Sequence, residues 1–301
     1  MELDTTGCAV IDGSLLEGGG QILRTAVALS ALKDAPVRII KIRAGRKDPG
    51  LKSQHLKGIE LARQMCDGSL EGGSMGSTEI TFRPGRIKAG SFYADAVTAG
   101  SVSLMMQVLL PLALFAPGPT NFELKGGTNA DLAPPVDHTV LRLLPERTRR
   151  SFVSVNPVRS LKGVTLTDFG EVKRVFGFSF VSVNFPHTYS NTETIFSLYV
   201  FRLGCETTTG CLLVTSSCNK RGYRAEDAAK EAVEELVSSV NIQSFIILMA
   251  LAVGESKLRT GPITMHTKTV MHFTEKLLGI FIKKSSKAFL RGGQANQNQT
   301  N

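Results

Sequence analysis

The chain has 301 residues, 42% of them hydrophobic and 20% charged, which fits a globular protein of one large or two modest domains and excludes a disordered or fibrous one. Its net charge of +9, with a pI near 9.4, favours acidic partners, RNA first among them. The five cysteines (Cys8, Cys66, Cys205, Cys211 and Cys218) are odd in number and lack C-x-x-C spacing, so they indicate neither a disulfide framework nor a thiolate zinc site and point to a reducing compartment.

In chain order, residues 8–12 read as a strand, and Ile22, Leu23, Ala26, Val27, Leu29 and Leu32 form the apolar face of a helix. Between them lies Glu17-Gly18-Gly19-Gly20-Gln21-Ile22-Leu23-Arg24, where three glycines leave backbone N–H groups uncovered at a helix mouth and Glu17 and Arg24 bracket them with opposite charges. Such a turn is either a phosphate site or a steric strand-to-helix connection. A strand follows at 37–42, then a Gly/Pro-broken loop with Arg43, Arg46, Lys47 and Lys52. Beside an anion-binding turn, these cations suit a polyphosphate or nucleic-acid backbone.

Leu56, Ile59, Ala62 and Met65 mark a second helix that ends at Asp67-Gly68, and strands are expected around 69–73, 78–83 and 91–95, completing a β-α-β-α-β-β unit. The apolar runs around 104–116 and 245–253 are too short to cross a bilayer and read as buried helices. A similar order recurs weakly: the helix from Ser101, a strand at 121–124 and a helix opening at Pro134 or Pro135, then 211–215, 225–237, 245–252 and the helix after His266. Residues 146–202 begin with a basic run and turn β-branched and aromatic, favouring strands. The division expected is 1–145 for the N-terminal repeats, 146–202 for a shortened insert, 203–282 for a C-terminal repeat, and a disordered tail over 283–301.

The motifs EGGGQILR, IRAGR, PGL and QH, followed by GSTEITF-RPG, TAGS, Gln107, KGGTNA, APP and GPITMHT, resemble the RNA 3'-terminal phosphate cyclase family, densely over 8–144 and again over 203–281. The resemblance implies an α+β fold of three β-α-β-α-β-β units in layered sheets and helices with a small inserted domain. It also implies an ATP-dependent ligase that needs a divalent cation, magnesium or manganese, and acts on RNA bearing a 3'-phosphate.

By the same resemblance His266, in an H-x-x-T position, attacks the α-phosphate of ATP to form a histidine–AMP phosphoramidate. AMP passes to the RNA 3'-phosphate, and the 2'-hydroxyl then closes a 2',3'-cyclic phosphate. Read on its own, His266 is more simply a partly buried structural imidazole. Glu17 matches a residue near the metal and phosphates, or serves as a helix N-terminal carboxylate. Arg24, Arg43 and Arg46 match arginines that hold anionic groups, the latter two on the RNA side. Gln54 and Gln107 match contacts in the nucleotide pocket, and Gln107 also interrupts an apolar run where a polar group needs a partner. Pro134 matches a proline against adenine, or simply starts a helix.

Two departures stand out: the family's adenine-stacking tyrosine and histidine-orienting aspartate fall at Val240 and Gln243. A glutamine carbonyl substitutes only in part for the carboxylate. His55 and His272, with no acid or thiolate neighbours at ligand spacing, are read as structural, as are Asp137 and His138. The alternative function is a catalytically impaired cyclase-like protein that binds RNA or pre-ribosomal particles. RNA chemistry favours the nucleus, then the cytoplasm; no membrane association is expected, and the oligomeric state is left open.

Overall fold

A computed structural model describes residues 3–97, 100–127, 133, 150–155, 165–166, 172–178, 183–186, 195–198, 200–207, 212–218, 243–259, 263–284 and 289–292. The first unit runs β1 (Ala9–Asp12), α1 (Gly20–Lys33), β2 (Val37–Ile40), α2 (Ser53–Met65), β3 (Ser69–Glu71) and β4 (Ile80–Arg83). Its sheet has the order β1-β2-β4-β3, with β1 and β2 parallel and the remaining pairs antiparallel. The β-α-β-α-β-β reading of this stretch holds, with strand ends trimmed by one or two residues. Alternation explains the strands: in β1, β2 and β4 every second residue is buried.

A second unit repeats the beginning of the first. β5 (Gly90–Asp95) and β6 (Thr120–Lys125) pair in parallel across α3 (Val102–Leu114), and β7 (Arg150–Val155) pairs antiparallel to β6. The third is split along the chain. β8 (Thr165–Leu166) pairs in parallel with β14 (Ser256–Arg259), which follows α4 (Gln243–Leu251), and after α5 (Met265–Leu278) come β15 (Lys283–Lys284) and β16 (Phe289–Gly292). The order β8-β14-β16-β15 is that of the first sheet, parallel and antiparallel pairs included.

Between β8 and α4 the chain departs to form β9 (Val172–Phe178), the hairpin of β10 (Val183–Pro186) and β11 (Ile195–Leu198), and β12 (Val200–Thr207) with β13 (Leu212–Cys218). β9, β12 and β13 make a sheet of their own. Thus part of the segment expected as a C-terminal repeat pairs inside this excursion. Likewise Phe289–Gly292, in the segment expected to lack structure, finds backbone partners along β14. The helix expected at 225–237 lies outside the described residues.

The two apolar runs do form helices, α3 and α4, and none of the described helices is long and apolar enough to cross a membrane. α1 is buried along most of its length and packs against α3 and α5, so helices of all three units share one core with Phe82, Phe122 and Phe273 fully enclosed. Cys8 and Cys66 are buried thiols.

The basic loop between β2 and α2 is stitched to the segment before β4: Ile42 N–H donates to Thr78 O (2.8 Å), Leu51 N–H to Ser77 O (2.9 Å) and Gly76 N–H to Leu51 O (2.9 Å). Gly50, at φ +78°, is where this seam is tightest, because an added Cβ would press on the Gly76 backbone, 2.5 Å from its carbonyl carbon. Gly50→Ala combines a left-handed backbone with a clash against main chain. We expect a loss of about 3 kcal/mol, read as a lower urea midpoint, from about 1–2 for the backbone and 1–3 for overpacking. Gly45→Ala on the same loop points into open space and serves as the near-neutral control. Equal midpoints for the two variants would refute the role given to the seam.

Candidate active site at the mouth of helix α1

Helix α1 begins without a side-chain cap: its N-cap is Gly19, in extended conformation, preceded by Gly18 at φ +59°. Its first amide groups are left for a ligand. Glycine is required here for space as well. A Cβ on Gly19 would meet Glu17 Oε1 at 2.5 Å and Arg46 Nη2 at 3.1 Å, and one on Gly20 would press on the His55 ring and reach Arg24 Nη1 at 2.9 Å.

Glu17 is the hub. Its Oε1 accepts from Arg46 Nη2 (2.9 Å), its carbonyl from the same nitrogen (3.2 Å), and its Oε2 is in contact with Nδ1 of His266. The Glu17 N–H reaches Thr269 Oγ1 at 3.4 Å. Burial pushes the Glu17 carboxyl upward, but the hydrogen bond and charge of His266, with Arg46 and Arg24, outweigh it and hold the group below the usual glutamate range. His266 stands on the first turn of α5, two residues past the N-cap Thr264, whose hydroxyl accepts from Thr267 N–H (3.2 Å). Its ring is half-exposed.

Arg24, one turn into α1, donates through Nη2 to Gln21 Oε1 (2.8 Å), and its Nε is buried with no hydrogen-bond partner. Enclosure lowers its pKa to about 10, against a smaller upward pull from Glu17, so the side chain remains a cation. His55, 7% exposed, is the residue that sequence reasoning passed over. Its Nδ1 accepts from Lys52 N–H (3.2 Å). Burial first, then the charges of Arg24, Arg43 and Lys52, push its pKa down to about 3. It is therefore a neutral ring with its proton on Nε2, kept so by burial first and then by the cations around it.

The other expected site residues divide. Arg46 faces the hub. Arg43, at φ +53°, turns inward on its own loop and donates through Nη1 to Asp48 O and Gly50 O (both 2.9 Å), bracing the loop that carries Arg46. Gln54 Oε1 accepts from Ser101 N–H (2.9 Å), which places it at the start of α3. Gln107 Oε1 is buried without a hydrogen-bond partner, so the partner that a polar group in this apolar run needs is not supplied by the chain. Pro134, Val240, Asp137 and His138 lie outside the described residues; Gln243 opens α4. His272 is exposed, its ring edge-on to Phe273. Among the described residues no three His, Cys, Asp or Glu side chains come together as a metal cage.

A carboxylate with two arginines near it, an uncapped helix and a half-exposed histidine thus come together at one place. A family model described as RNA 3'-terminal phosphate cyclase matches residues 15–284. The chain belongs to the RNA 3'-terminal phosphate cyclase family. It is 33% identical to the RNA 3'-terminal phosphate cyclase of Pyrobaculum aerophilum over 330 residues, covering 92% of this chain and 95% of that one. It is 31% identical to that of Drosophila melanogaster over 349 residues (97% and 96%), and 35% identical to that of Ignicoccus hospitalis over 326 (89% and 92%). These alignments are longer than the 301-residue chain, so the relatives carry residues with no counterpart here. Among solved structures, an EPSP synthase from Acinetobacter baumannii aligns with a TM-score of 0.47 and 13% identity over 91% of this chain and 46%, about half, of that one.

Proposed function

We propose that this member of the family converts an RNA 3'-phosphate to a 2',3'-cyclic phosphate at the expense of ATP, through a covalent histidine–AMP. The observation that carries the reading is the placement of a half-exposed histidine, His266, beside the uncapped mouth of α1 with Arg24 and Arg46 around it. In the first step a ring nitrogen of His266 attacks the α-phosphorus and pyrophosphate leaves. An oxygen of the RNA 3'-phosphate next displaces the histidine from AMP. The 2'-hydroxyl finally attacks the activated 3'-phosphorus, AMP departs and the hydroxyl proton is released. The need for a 2'-hydroxyl restricts cyclisation to RNA ends.

The chain's own residues supply binding and charge. The amide groups at the start of α1 and the cations Arg24 and Arg46 suit phosphate oxygens. His55 offers an uncharged donor nearby. Glu17, beside the helix mouth, would help to hold a divalent cation, which would offset the charge of the nucleotide phosphates. The strands β9 to β13, set between the first strand and first helix of the third unit, belong to the inserted domain on this reading. A second reading, an RNA-binding relative without catalysis, is favoured only by Val240 and Gln243 at the two altered positions.

The deciding experiment incubates the folded protein with α-labelled ATP and magnesium or manganese. An acid-labile, alkali-stable label on the protein, absent in His266→Ala, is the expected outcome. No label on the folded wild-type protein would favour the non-catalytic reading.

A further inference from the structure

We propose that Leu15, Leu16 and Met265 form an apolar lip that receives the base of the last RNA nucleotide, the one that carries the 3'-phosphate. This rests on the reading of RNA as the substrate given above, and it adds where the end of that RNA is held and by what chemistry.

The lip is rooted where α5 meets the approach to α1. Leu15, Leu16 and Met265 are 41%, 48% and 50% exposed. Scattered exposed apolar residues need no explanation, but these three stand together. Leu16 precedes Glu17 and Met265 precedes His266, and the side chains of Glu17 and His266 touch. The backbones are joined as well: Glu17 N–H reaches Thr269 Oγ1 at 3.4 Å, and that hydroxyl donates to Met265 O at 2.8 Å. Leu15 closes the turn, its carbonyl accepting from Gly18 N–H (2.9 Å). Within that turn Leu16 is held at φ +54°, a left-handed conformation in which a bulky residue is an outlier and glycine would sit at no steric cost. A disfavoured backbone that sets a leucine in solvent beside the proposed reacting centre serves binding better than it serves the fold.

Size and charge select the occupant. Three side chains cannot furnish the roughly 800 Å² per partner of a stable protein interface, but they suit one flat base. Negative charge belongs with it, because Arg46 lies against the same turn, its Nη2 donating to Glu17 O (3.2 Å), and the exposed Lys47 follows it on the loop. A nucleotide joins an apolar base face to a phosphate through a single sugar. The last nucleotide can therefore rest its base on the lip while its 3'-phosphate faces His266 and the phosphate before it faces the cations of the loop. On the family resemblance the adenine of ATP lies against Pro134, which leaves the lip to the RNA. Leucine and a thioether hold a base by burial and polarisability, and neither reads a hydrogen-bond pattern. The subsite thus registers that a terminal base is present and is tolerant of which base it is.

The test measures binding without ATP, by fluorescence anisotropy, of two short 5'-labelled single-stranded RNAs. One ends in a complete nucleotide with a 3'-phosphate; in the other the last nucleotide keeps its ribose and 3'-phosphate but lacks the base. The wild type is expected to bind the abasic end about 10-fold more weakly, within the range for loss of one stacked base, and exchange of the last base should move binding by less than about 3-fold. The double variant Leu16→Gly, Met265→Gln should bind the complete RNA as weakly as the wild type binds the abasic one and no longer distinguish the two. Glycine relieves the left-handed backbone and glutamine suits a helix as well as methionine does, so the variant should still unfold cooperatively. The wild-type comparison decides by itself even where the variant is unstable. Equal binding of the two RNAs by the folded wild type, or binding of neither, overturns the proposal, as does discrimination that persists in the folded double variant. A double variant that keeps the discrimination but loses its thermal stabilisation by ATP would assign the lip to adenine instead. Because ATP is absent from the binding measurement, a protein that never forms a histidine adduct leaves its result standing, and one that forms the adduct but ignores the terminal base fails on this point alone.

Discussion

Replacing Arg24 with methionine is expected to raise the unfolding temperature of the ligand-free protein while weakening its affinity for nucleotide. Arg24 lies half-buried in a helix packed on both sides, its Nε has no hydrogen-bond partner, and its one direct hydrogen bond among the described residues is to Gln21. The fall of its pKa to about 10 says that burial costs the cation more than Glu17 returns. A buried charge of this kind is a burden on the fold until an anion arrives. Methionine fills a similar volume without a charge, so a gain of about 1–2 kcal/mol is expected, equivalent to roughly 2–6 °C for a domain of this size. Binding moves the other way: loss of a desolvated cation facing a phosphate is expected to weaken ATP by at least about 30-fold, or about 2 kcal/mol. Thermal unfolding with and without ATP reads both effects, because the same concentration of ATP should stabilise the wild type clearly and Arg24→Met much less. If Arg24→Met melts below the wild type, the Gln21–Arg24 contact is structural and the pocket is not organised around a waiting anion.

Much of this site could be read from local pattern, because local pattern is what its first elements depend on. The apolar spacing after the glycine triplet gave α1, and the triplet marked a helix mouth where a Cβ has no room at Gly19 or Gly20. The loop of Arg43 and Arg46 was legible as a cationic loop. What each arginine does was not, because Arg43 turns back on Asp48 and Gly50 only through a left-handed backbone that no composition reveals. His266 could be named, but its partner could not, since Glu17 lies 249 residues away and the two meet only when the third unit packs α5 against α1.

The centre of the chain shows a different limit. Residues rich in β-branched and aromatic side chains form strands there, as composition requires, yet composition does not say to which sheet a strand belongs. β13, read at 211–215 as the strand that opens a repeat, pairs instead with β12, while the two-residue strand β8 joins the third repeat sheet through β14. Such pairings are fixed by hydrogen-bond register between distant segments, and β8 is too short to show any periodicity.

His55 was passed over because its sequence neighbours offer no acid or thiolate; its displaced pKa comes from burial first and then from cations the fold brings to it. We expect it to dominate the acid sensitivity of the fold. With a pKa near 6.5 in the unfolded chain and about 3 in the folded protein, the unfolded state binds the extra proton throughout that window. Stability is then full above about pH 6.5 and falls as pH is lowered, with a slope approaching about 1.4 kcal/mol per unit, until the folded ring is protonated near pH 3. Carboxylates held low, such as Asp12 at about 2, make their losses further down, below the ordinary carboxylate range. The span from pH 6.5 to 4.5 therefore isolates the histidine, with an expected loss of roughly 2–3 kcal/mol, a sizeable share of the stability of a typical domain. Urea unfolding of the wild type and His55→Gln at pH 7.0, 6.0 and 5.0 measures it. The variant should lose the slope over this interval, since a glutamine carbonyl can accept from Lys52 N–H without titrating. A slope that survives in His55→Gln would assign it to other groups. Phosphate or pyrophosphate bound beside Arg24 and Lys52 would offset two of the cations that act with burial to hold the ring neutral, so the same titration with pyrophosphate present should be shallower, which separates the part of the acid lability due to charge from the part due to burial.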